Sequence, residues 1–363
     1  MKTVAFFGSS LVSAYWNGAA TYYRGIIREL ARLDYRITFY EPDAYDRQRH
    51  RDMADPPWAR VVVYPARAEA VHQVLEEAAG AEILIKASGV GIFDDVLEAG
   101  VLAVRRSGAM AVYWDVDAPA TLDRLQADPA DPLRSLIPGY DLVLTYGGGP
   151  PVVAAYRALG ARECRPIYNA LDTTTHYPVP PDPAFKADLS FVGNRLPDRE
   201  IRVEEFFLQP AANQPKRSYL LGGSGWGDKG LPANVRYLGH IYTHQHNVLN
   251  SSALAVLNVN RQSMASYGFS PPTRIFEAAG AGACIISDAW PGIEEFLDPE
   301  QEILIVADGA AVAEHLAALT PRRAGAIGGL ARRRIRTEHT YARRAAQVDR
   351  LFRGEALSCG ATA

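Results

Sequence analysis

The chain lacks most of the features that mark a secreted, membrane-spanning or nucleic-acid-binding protein. It has three widely spaced cysteines, Cys164, Cys284 and Cys359, which form neither a disulfide framework nor a zinc-ligand pattern. No apolar run approaches the ~18 residues that a membrane span needs, and residues 4–7 are too short for a signal peptide core. Lys plus Arg number 38 and Asp plus Glu 41, so no charge excess favours nucleic acid. We therefore expect a cytoplasmic protein with reduced thiols and no nucleic-acid partner.

What is present fits a globular protein of more than one domain. Hydrophobic residues make up 48% and charged residues 22% of the chain, which excludes disordered, collagenous and coiled-coil proteins. At roughly 150 residues per domain, the length of 363 residues predicts two domains or three.

Short apolar runs alternate with helical patterns along the first half of the chain. A helix is predicted over 20–33, because its apolar residues fall on one face, and another over 68–79. Strands are predicted at 3–7, 36–40, 61–64, 83–86, 109–114 and 142–145. This alternation is typical of βαβ units and of a mostly parallel sheet.

The same pattern restarts after a proline-rich segment, residues 169–187, which has the signature of a linker. Strands are predicted at 189–192, 217–221, 235–238, 253–259, 283–287 and 303–306, followed by one continuous helical pattern from 324 to about 352. We predict two doubly wound, Rossmann-like α/β domains. The predicted segments are an N-terminal domain over 1–168, the linker over 169–187, a C-terminal domain over 188–335, a C-terminal helix over 336–354 that could pack back on the first domain, and a tail over 355–363.

The loop after the first strand is a candidate site for a phosphate or an acceptor. Gly8, Ser9, Ser10 and Gly18 follow that strand and precede a helix, and small residues there let backbone amides approach an anion. Doubly wound sheets bind ligands at the carboxyl ends of their strands. The spacing is not that of the GxGxxG dinucleotide motif, and an ordinary βα turn remains the alternative.

Two carboxylates, Asp115 and Asp117, follow another strand of the first domain. In an extended backbone their side chains would lie on one side. Three interpretations stay open. The pair could clamp a diphosphate through a divalent ion, one Asp could orient or deprotonate an acceptor hydroxyl, or the segment could be a capped turn before Pro119.

The second domain carries the most informative residues. Gly193 and Arg195 follow its first strand, where glycine permits close approach and arginine offers a fork to phosphate oxygens. Further on, a helix that begins with proline places Arg274 and Glu277 three residues apart, on neighbouring faces. A strand and a turn at 288–292 follow, and another helix is predicted from about Ile293.

The segment 270–296, together with 188–195 and 236–241, resembles the CgeB-like glycosyltransferases. This family has the GT-B architecture, two Rossmann-like domains facing across a cleft, and is related to glycogen-synthase-type transferases. The resemblance covers roughly residues 187–345. It implies a nucleotide-sugar donor, a UDP-sugar by preference, held by the second domain, and an acceptor held by the first.

The resemblance also implies roles for single residues. Glu277 matches the glutamate that binds the ribose, and Arg195 matches a basic residue after the first strand. The remaining matches are Gly292 and Ile293, whose amides would face the diphosphate, Tyr237, Gly239 and His240, which would flank the base, and Ser270 and Arg274, which belong to the same motif. The chain departs from the pattern at Phe269, where related transferases have a second glutamate near the sugar.

Two further groups of residues have other interpretations. His240, His244 and His246 are close in sequence but lack a carboxylate at a ligand offset, so we predict no metal there. The arginine-rich stretch 332–344 is read as a solvated helix face, with weak peripheral contact to anionic lipid left open.

The sequence thus predicts a cytoplasmic, metal-independent glycosyltransferase without a cofactor. It would move a hexose-like sugar from a nucleotide-diphosphate sugar to the hydroxyl of a carbohydrate, small-molecule or protein acceptor, and the resemblance favours retention. Two alternatives remain: a non-catalytic nucleotide-sugar-binding or structural protein, and a dinucleotide-dependent oxidoreductase, which the missing GxGxxG motif disfavours. The sequence does not specify the oligomeric state.

Overall fold

A computed structural model describes residues 1–15, 17–89 and 91–355 of the chain. Cys359 and all but the first residue of the predicted tail therefore lie outside the described residues. The chain divides into two compact units. Unit 1 contains Met1–Tyr168 and the segment that begins at Tyr341, and unit 2 contains Asn169–Thr340.

Unit 1 is built on a seven-stranded parallel sheet with the strand order β3-β2-β1-β4-β5-β6-β7. The strands are β1 (Lys2–Phe7), β2 (Tyr35–Asp43), β3 (Arg60–Pro65), β4 (Ile83–Ala87), β5 (Met110–Asp115), β6 (Leu142–Thr145) and β7 (Cys164–Pro166). The helices are α1 (Ala20–Arg32), α2 (Ala68–Ala78), α3 (Asp94–Val104), α4 (Ala118–Ala127), α5 (Pro132–Leu136) and α6 (Gly149–Ala158). The strand order reverses between β1 and β4, which is where doubly wound sheets bind ligands.

Aromatic side chains fill the core of unit 1 around β1. Phe6 stacks on Phe39 with ring centroids 5.2 Å apart, and the edge of Tyr23 meets Phe6 at 5.4 Å. Trp114 is fully buried and donates its indole N–H to the Tyr22 hydroxyl at 3.1 Å. The N-terminal apolar run that predicted a strand is therefore a buried central strand, as parallel sheets covered on both faces require.

Unit 2 is built on a six-stranded parallel sheet with the order β10-β9-β8-β11-β12-β13. Its strands are β8 (Ala187–Val192), β9 (Tyr219–Gly222), β10 (Val235–Gly239), β11 (Ala253–Asn258), β12 (Ile285–Asp288) and β13 (Leu304–Val306). Its helices are α7 (Pro197–Val203), continued by a π-helical turn and α8 (Gln209–Asn213), then α9 (Thr243–Ser252), α10 (Gln262–Tyr267), α11 (Thr273–Gly280), α12 (Gly309–Ala318) and α13 (Pro321–Glu338). Here the order reverses between β8 and β11.

The predicted α/β fold class with two parallel sheets is confirmed. Every strand predicted from the sequence is present, within a few residues at each end. The prediction missed β7, a three-residue edge strand, because so short a segment shows no periodicity. Proline-rich residues 169–187 belong to unit 2 and contain a 3₁₀ turn at Pro183–Phe185.

The prediction of one continuous C-terminal helix was wrong. Helix α13 ends at Glu338, and α14 (Tyr341–Phe352) begins three residues later and packs on α1 of unit 1. Arg344, which was expected on a solvated face, is 3% exposed and donates to the Tyr168 carbonyl. Both helices bury their apolar faces, which leaves little apolar surface for lipid. No helix in the described part of the chain is long and apolar enough to cross a membrane.

Candidate functional site

Arg274 lies at the point where the strand order of unit 2 reverses. It projects from α11 and donates to the Asn258 side-chain oxygen at 3.0 Å and to the Val192 carbonyl. Asn258 ends β11 and Val192 ends β8, so one guanidinium joins the two strand ends on either side of the reversal. The guanidinium also lies over the Phe191 ring, 5.0 Å from its centroid. A positive charge is thereby fixed where parallel sheets bind their ligands.

A second arginine reinforces the positive charge there. Arg199, on α7, donates to the Asn194 carbonyl at 3.2 Å. Burial lowers the pKa of Arg274 to about 10, and the nearby charge of Arg199 acts in the same direction, while Glu277 and Asp288 oppose it. Arg274 therefore stays charged at neutral pH. Two guanidinium groups close together at a strand reversal favour an anion with several oxygens.

Glu277 lies one turn after Arg274 on α11 and has two histidines beside it. Its Oε1 is 3.9 Å from His176 Nε2, and its Oε2 is 3.8 Å from His246 Nδ1. Burial lowers the pKa of His246, with Glu277 raising it and His176 lowering it. The Glu277 side chain is 22% exposed, so its carboxylate is still reachable by a ligand.

Arg195 does not have the arrangement that the sequence predicted. It forms a two-pronged ion pair with Glu200, each N···O distance being 2.8 Å, and it also donates to Asp228 at 2.9 Å. These carboxylates already accept hydrogen bonds from the guanidinium N–H groups that the sequence analysis assigned to phosphate oxygens. The structure corrects the assignment: Arg195 ties the loop after β8 to α7 and the 225–228 turn, and Arg199, four residues on, stands near Arg274.

The helix predicted from Ile293 is a 3₁₀ helix of three residues, Ile293–Glu295. It has too few aligned peptides for a helix dipole, and two glutamates occupy it. Gly292 has φ +87°, and a Cβ there would lie 2.8 Å from Phe269 Cγ. Phe269 itself has φ 46° and donates its backbone N–H to Pro291. The structure therefore corrects the expectation of a helix start at Gly292 and Ile293.

The residues expected to flank the base lie in and after β10. Tyr237 donates its hydroxyl to the Gly223 carbonyl at 2.9 Å, and Gly239, with φ +70°, accepts from the Gly223 N–H. His240 is exposed and its ring meets the Tyr242 ring edge-on. Of the three neighbouring histidines, His246 alone approaches Glu277.

Glycines keep the end of β8 close to its neighbours. Trp226 donates its indole N–H to the Gly193 carbonyl at 2.8 Å, and a Cβ on Gly193 would lie 2.9 Å from the Phe191 ring. A Cβ on Gly223 would also collide with the Gly193 backbone. Ser270 is buried just before α11. These residues shape the turn, as glycine at a close backbone approach requires.

In unit 1, Asp115 is fully buried and its oxygens are occupied. Ser88 Oγ, the Asp117 N–H and Thr121 Oγ1 donate to Oδ1 at 2.6, 3.0 and 3.1 Å, and the Tyr156 hydroxyl donates to Oδ2. A carboxylate with four donors holds the loop after β5 and has no room for substrate or metal. The structure argues against Asp115 as a catalytic residue and against the paired metal clamp.

Asp117 has different surroundings from Asp115. It is exposed, precedes α4 and lines a pocket of about 390 Å³ at the carboxyl ends of β4 and β5. Glu98 and Arg124 line the same pocket. Glu98 is 5% exposed, and burial raises its pKa to about 7. The structure thus shows that Asp117, and not Asp115, is accessible to a ligand, which the sequence alone could not show.

The loop after β1 uses its hydroxyls internally. Ser9 donates to the Asn17 side chain and Ser10 to Glu41, both at 2.9 Å, and both serines are buried. A Cβ on Gly8 would lie 2.6 Å from the Phe39 ring, so this glycine serves packing. Gly18 is exposed. Ser9 and Ser10 therefore stabilise the loop through side-chain hydrogen bonds, and the role predicted for its backbone amides in binding a phosphate or an acceptor stays a prediction.

Sequence reasoning missed His176, Arg199 and Glu98. His176 lies in the segment read as a linker, and nothing in its local spacing marks it. Arg199 follows Pro197 at the start of α7, and an arginine in the first turn after a strand–glycine end was a signal that could have been used. Glu98 is buried on α3 between Leu97 and Val101, which are also buried, and a single glutamate in a helix gives no sequence signal that it is buried.

Comparison with known proteins gives a family-model match over part of the chain, and a fold. A family model described as glycosyl transferase-like matches residues 199–350, the part that contains Arg199, His246, Arg274 and Glu277. No curated protein matches the sequence significantly. Solved structures match nearly the whole chain. The chain has the GT-B fold.

The similar solved structures match this chain over nearly its full length, although their sequence identity to it is low. Sucrose-phosphate synthase from Thermosynechococcus elongatus has a TM-score of 0.71 at 16% identity, with 98% of this chain and 99% of that chain covered. Anabaena HepE, solved in complex with UDP and glucose, has a TM-score of 0.70 at 14% identity, with 98% and 100% covered. T4 phage BGT, in complex with UDP-glucose, has a TM-score of 0.60 at 12% identity, with 98% and 100% covered.

Proposed function

We propose that this protein is a glycosyltransferase that moves a sugar from a UDP-sugar to an acceptor hydroxyl without a metal ion. The observation that carries the proposal is the placement of Arg274 and Glu277 on one helix at the strand reversal of unit 2. The glycosyl transferase-like match over 199–350 and the UDP and UDP-glucose complexes of HepE support the donor class.

The diphosphate would be held by the two arginines of unit 2. Arg274 and Arg199 bring two positive charges to the end of β8. Their charge can balance the diphosphate that forms when the sugar leaves, which is the role a divalent ion has in metal-dependent transferases. Glu277 would accept hydrogen bonds from both ribose hydroxyls, as the family resemblance implies.

The acceptor would bind in unit 1, in the pocket lined by Asp117. That carboxylate is exposed at a strand end, whereas Asp115 is committed to the loop. Asp117 would orient or deprotonate the attacking hydroxyl, a contribution worth ~10²–10⁴-fold in rate. The proposed retention of anomeric configuration is supported only by the resemblance to glycogen-synthase-type transferases.

One observation favours a second candidate function, nucleotide-sugar binding without turnover. Phe269 occupies the position of the second glutamate in related transferases, and its ring packs against Gly292. A hydrophobic ring there cannot accept hydrogen bonds from sugar hydroxyls. A protein that binds the donor but releases no UDP from it, with or without acceptors, would support this candidate.

Glu277→Gln tests the nucleotide site. We expect UDP affinity in calorimetry to fall by about 10–100-fold, because hydrogen bonds to a charged group are worth ~1.5–3 kcal/mol. Glu294→Gln is the matched control, since Glu294 is exposed on the neighbouring turn, and its affinity should equal that of the wild type. Equal affinity in both variants would remove Glu277 from the nucleotide site.

Turnover and its metal dependence are tested with UDP-sugars in an assay of UDP release. EDTA should not lower the rate, because the arginines provide the positive charge. A loss of activity that Mn²⁺ or Mg²⁺ restores would contradict metal independence. With an acceptor identified, NMR of the first-formed product would show whether the anomeric configuration is retained.

A further inference from the structure

We infer that His176, His246 and Glu277 form a binding site for a zinc-like divalent ion, and that such an ion competes with the nucleotide. This inference rests on the proposed function, because the competition requires Glu277 to bind the ribose. In the described part of the chain, these three residues form a group whose ligand atoms all lie within 4.8 Å of one another. Two imidazoles and one carboxylate are a donor set that zinc uses, with water in a fourth position.

The distances are close to those of a coordination site. The separations of 3.9 Å from His176 Nε2 to Glu277 Oε1 and 3.8 Å from His246 Nδ1 to Oε2 exceed hydrogen-bonding distance. Around a tetrahedral ion with bonds of ~2.0–2.1 Å, ligand atoms lie about 3.3 Å apart. The three ligand atoms lie within 4.8 Å of one another, so each separation would shrink by at most about 1.5 Å, which side-chain rotation can supply.

His176 gives a second, independent reason to expect a ligand. It is 8% exposed, and its Nε2 has no hydrogen-bond partner. Its other ring nitrogen, Nδ1, is 2.9 Å from Thr175 Oγ1. A buried nitrogen without a partner is costly, and an ion in front of it would remove that cost.

Hydrogen bonds fasten the segment that carries His176 to the helix that carries His246. Asn247 donates to the Thr175 carbonyl at 2.8 Å and accepts from the Tyr177 N–H, so the segment that carries His176 is fastened to α9. Metal-binding histidines typically hold their second ring nitrogen with an outer partner, and Thr175 is placed to do this for Nδ1 of His176.

The functional consequence would be inhibition. A carboxylate that ligates an ion cannot also accept both ribose hydroxyls, so the ion and UDP exclude each other. This role differs from that of a catalytic metal, since it places the ion on the nucleoside side of the site. Cellular zinc would then lower donor binding, and a chelator would restore it.

Calorimetry with Zn²⁺ alone, on the nucleotide-free protein, is the first test. We expect one site, with affinity reduced at least about tenfold in His176→Gln, His246→Gln and Glu277→Gln, because loss of even an outer partner of a zinc ligand costs 10–100-fold. The control is His72→Gln, at an exposed histidine of α2, which should bind Zn²⁺ as the wild type does. Should buried His176→Gln fail to fold, His246→Gln, which is 26% exposed, still decides the question.

UDP titrations with and without Zn²⁺ separate the two proposals. Competition in the wild type that disappears in His246→Gln supports the inference. UDP binding that Zn²⁺ does not weaken overturns it while leaving the proposed function intact. Zn²⁺ binding by the three residues without any UDP binding overturns the competition together with the proposed nucleotide site.

Discussion

At the scale of single residues, Asp115 and Asp117 show how two identical side chains two positions apart acquire different roles. Four donors surround Asp115, and its exposure is zero. Asp117 begins a helix and is exposed to the pocket. Sequence alternation could not separate them, because Ser88, Thr121 and Tyr156, which surround Asp115, come from other elements that only folding brings together.

The two aspartates should respond oppositely to the same substitution. Asp117→Asn should lower turnover by ~10²–10⁴-fold with unchanged UDP affinity and melting temperature, because it removes a base and little packing. Asp115→Asn should destabilise the fold by ~1–3 kcal/mol, because an amide N–H would face hydroxyl donors. Kinetics and chemical denaturation of both variants check this, and full turnover in Asp117→Asn would exclude that residue from the mechanism.

Glu98 should make the stability of the fold depend on pH. Burial raises its pKa to about 7, with Asp94 and Asp131 acting in the same direction and Lys86 and Arg124 opposing. The folded state therefore binds a proton that the unfolded state has lost between pH ~4.5 and 7, so stability falls as pH rises through that window. The loss could reach about 3 kcal/mol above pH 7.

Glu98→Gln removes this titration. The variant should be more stable than the wild type at pH 8, and the difference should shrink as the pH falls to 5. Denaturant titrations at each pH measure it, with Glu69→Gln, at an exposed glutamate of α2, as the control for lost charge. A difference independent of pH would contradict the raised pKa of Glu98.

At the scale of elements, the strands were predictable and the last helix break was not. Buried parallel strands are short apolar runs, which the sequence shows directly. The arginine-rich pattern from 324 onward is helical throughout, and neither proline nor glycine interrupts it near His339. The break arises from tertiary packing, because α13 covers the sheet of unit 2 and α14 packs on α1 of unit 1.

Gly25 is the position where that packing should be most sensitive. A Cβ there would lie 2.6 Å from Tyr341 Cε2, the first residue of α14. Gly25→Ala should therefore destabilise the protein by ~1–3 kcal/mol, the usual cost of overpacking. In contrast, Gly329→Ala on α13 has nothing within 4 Å of the added methyl and should stabilise by ~0.4–1 kcal/mol.

Denaturant unfolding of the two alanine variants gives the comparison. Both substitutions raise helix propensity equally, so a difference in sign isolates the contact between α1 and α14. Equal stabilisation of both variants would mean that α14 does not pack on Gly25.

At the scale of the whole molecule, some residues of the candidate site could be identified from the sequence, and others could not. Arg274 and Glu277 were predictable because one helix carries both. His176 and Arg199 were not, because they come from a proline-rich segment and another helix that only folding brings to α11. Arg195 was misassigned because the sequence does not show that Glu200 and Asp228 pair with it.

The division of labour between the units can be read by hydrogen exchange. UDP at 100 times its dissociation constant stabilises the state that binds it by about 2.7 kcal/mol, which slows exchange through unfolding of that unit about 100-fold. We expect this protection in unit 2, above all in β8, β11 and α11, and none in the loop that follows β1. The Glu277→Gln variant at the same UDP concentration should show much less protection from hydrogen exchange. Protection centred on the loop that contains Gly8 and Gly18 would instead place the nucleotide in unit 1, at the loop whose backbone amides the sequence predicts to bind a phosphate.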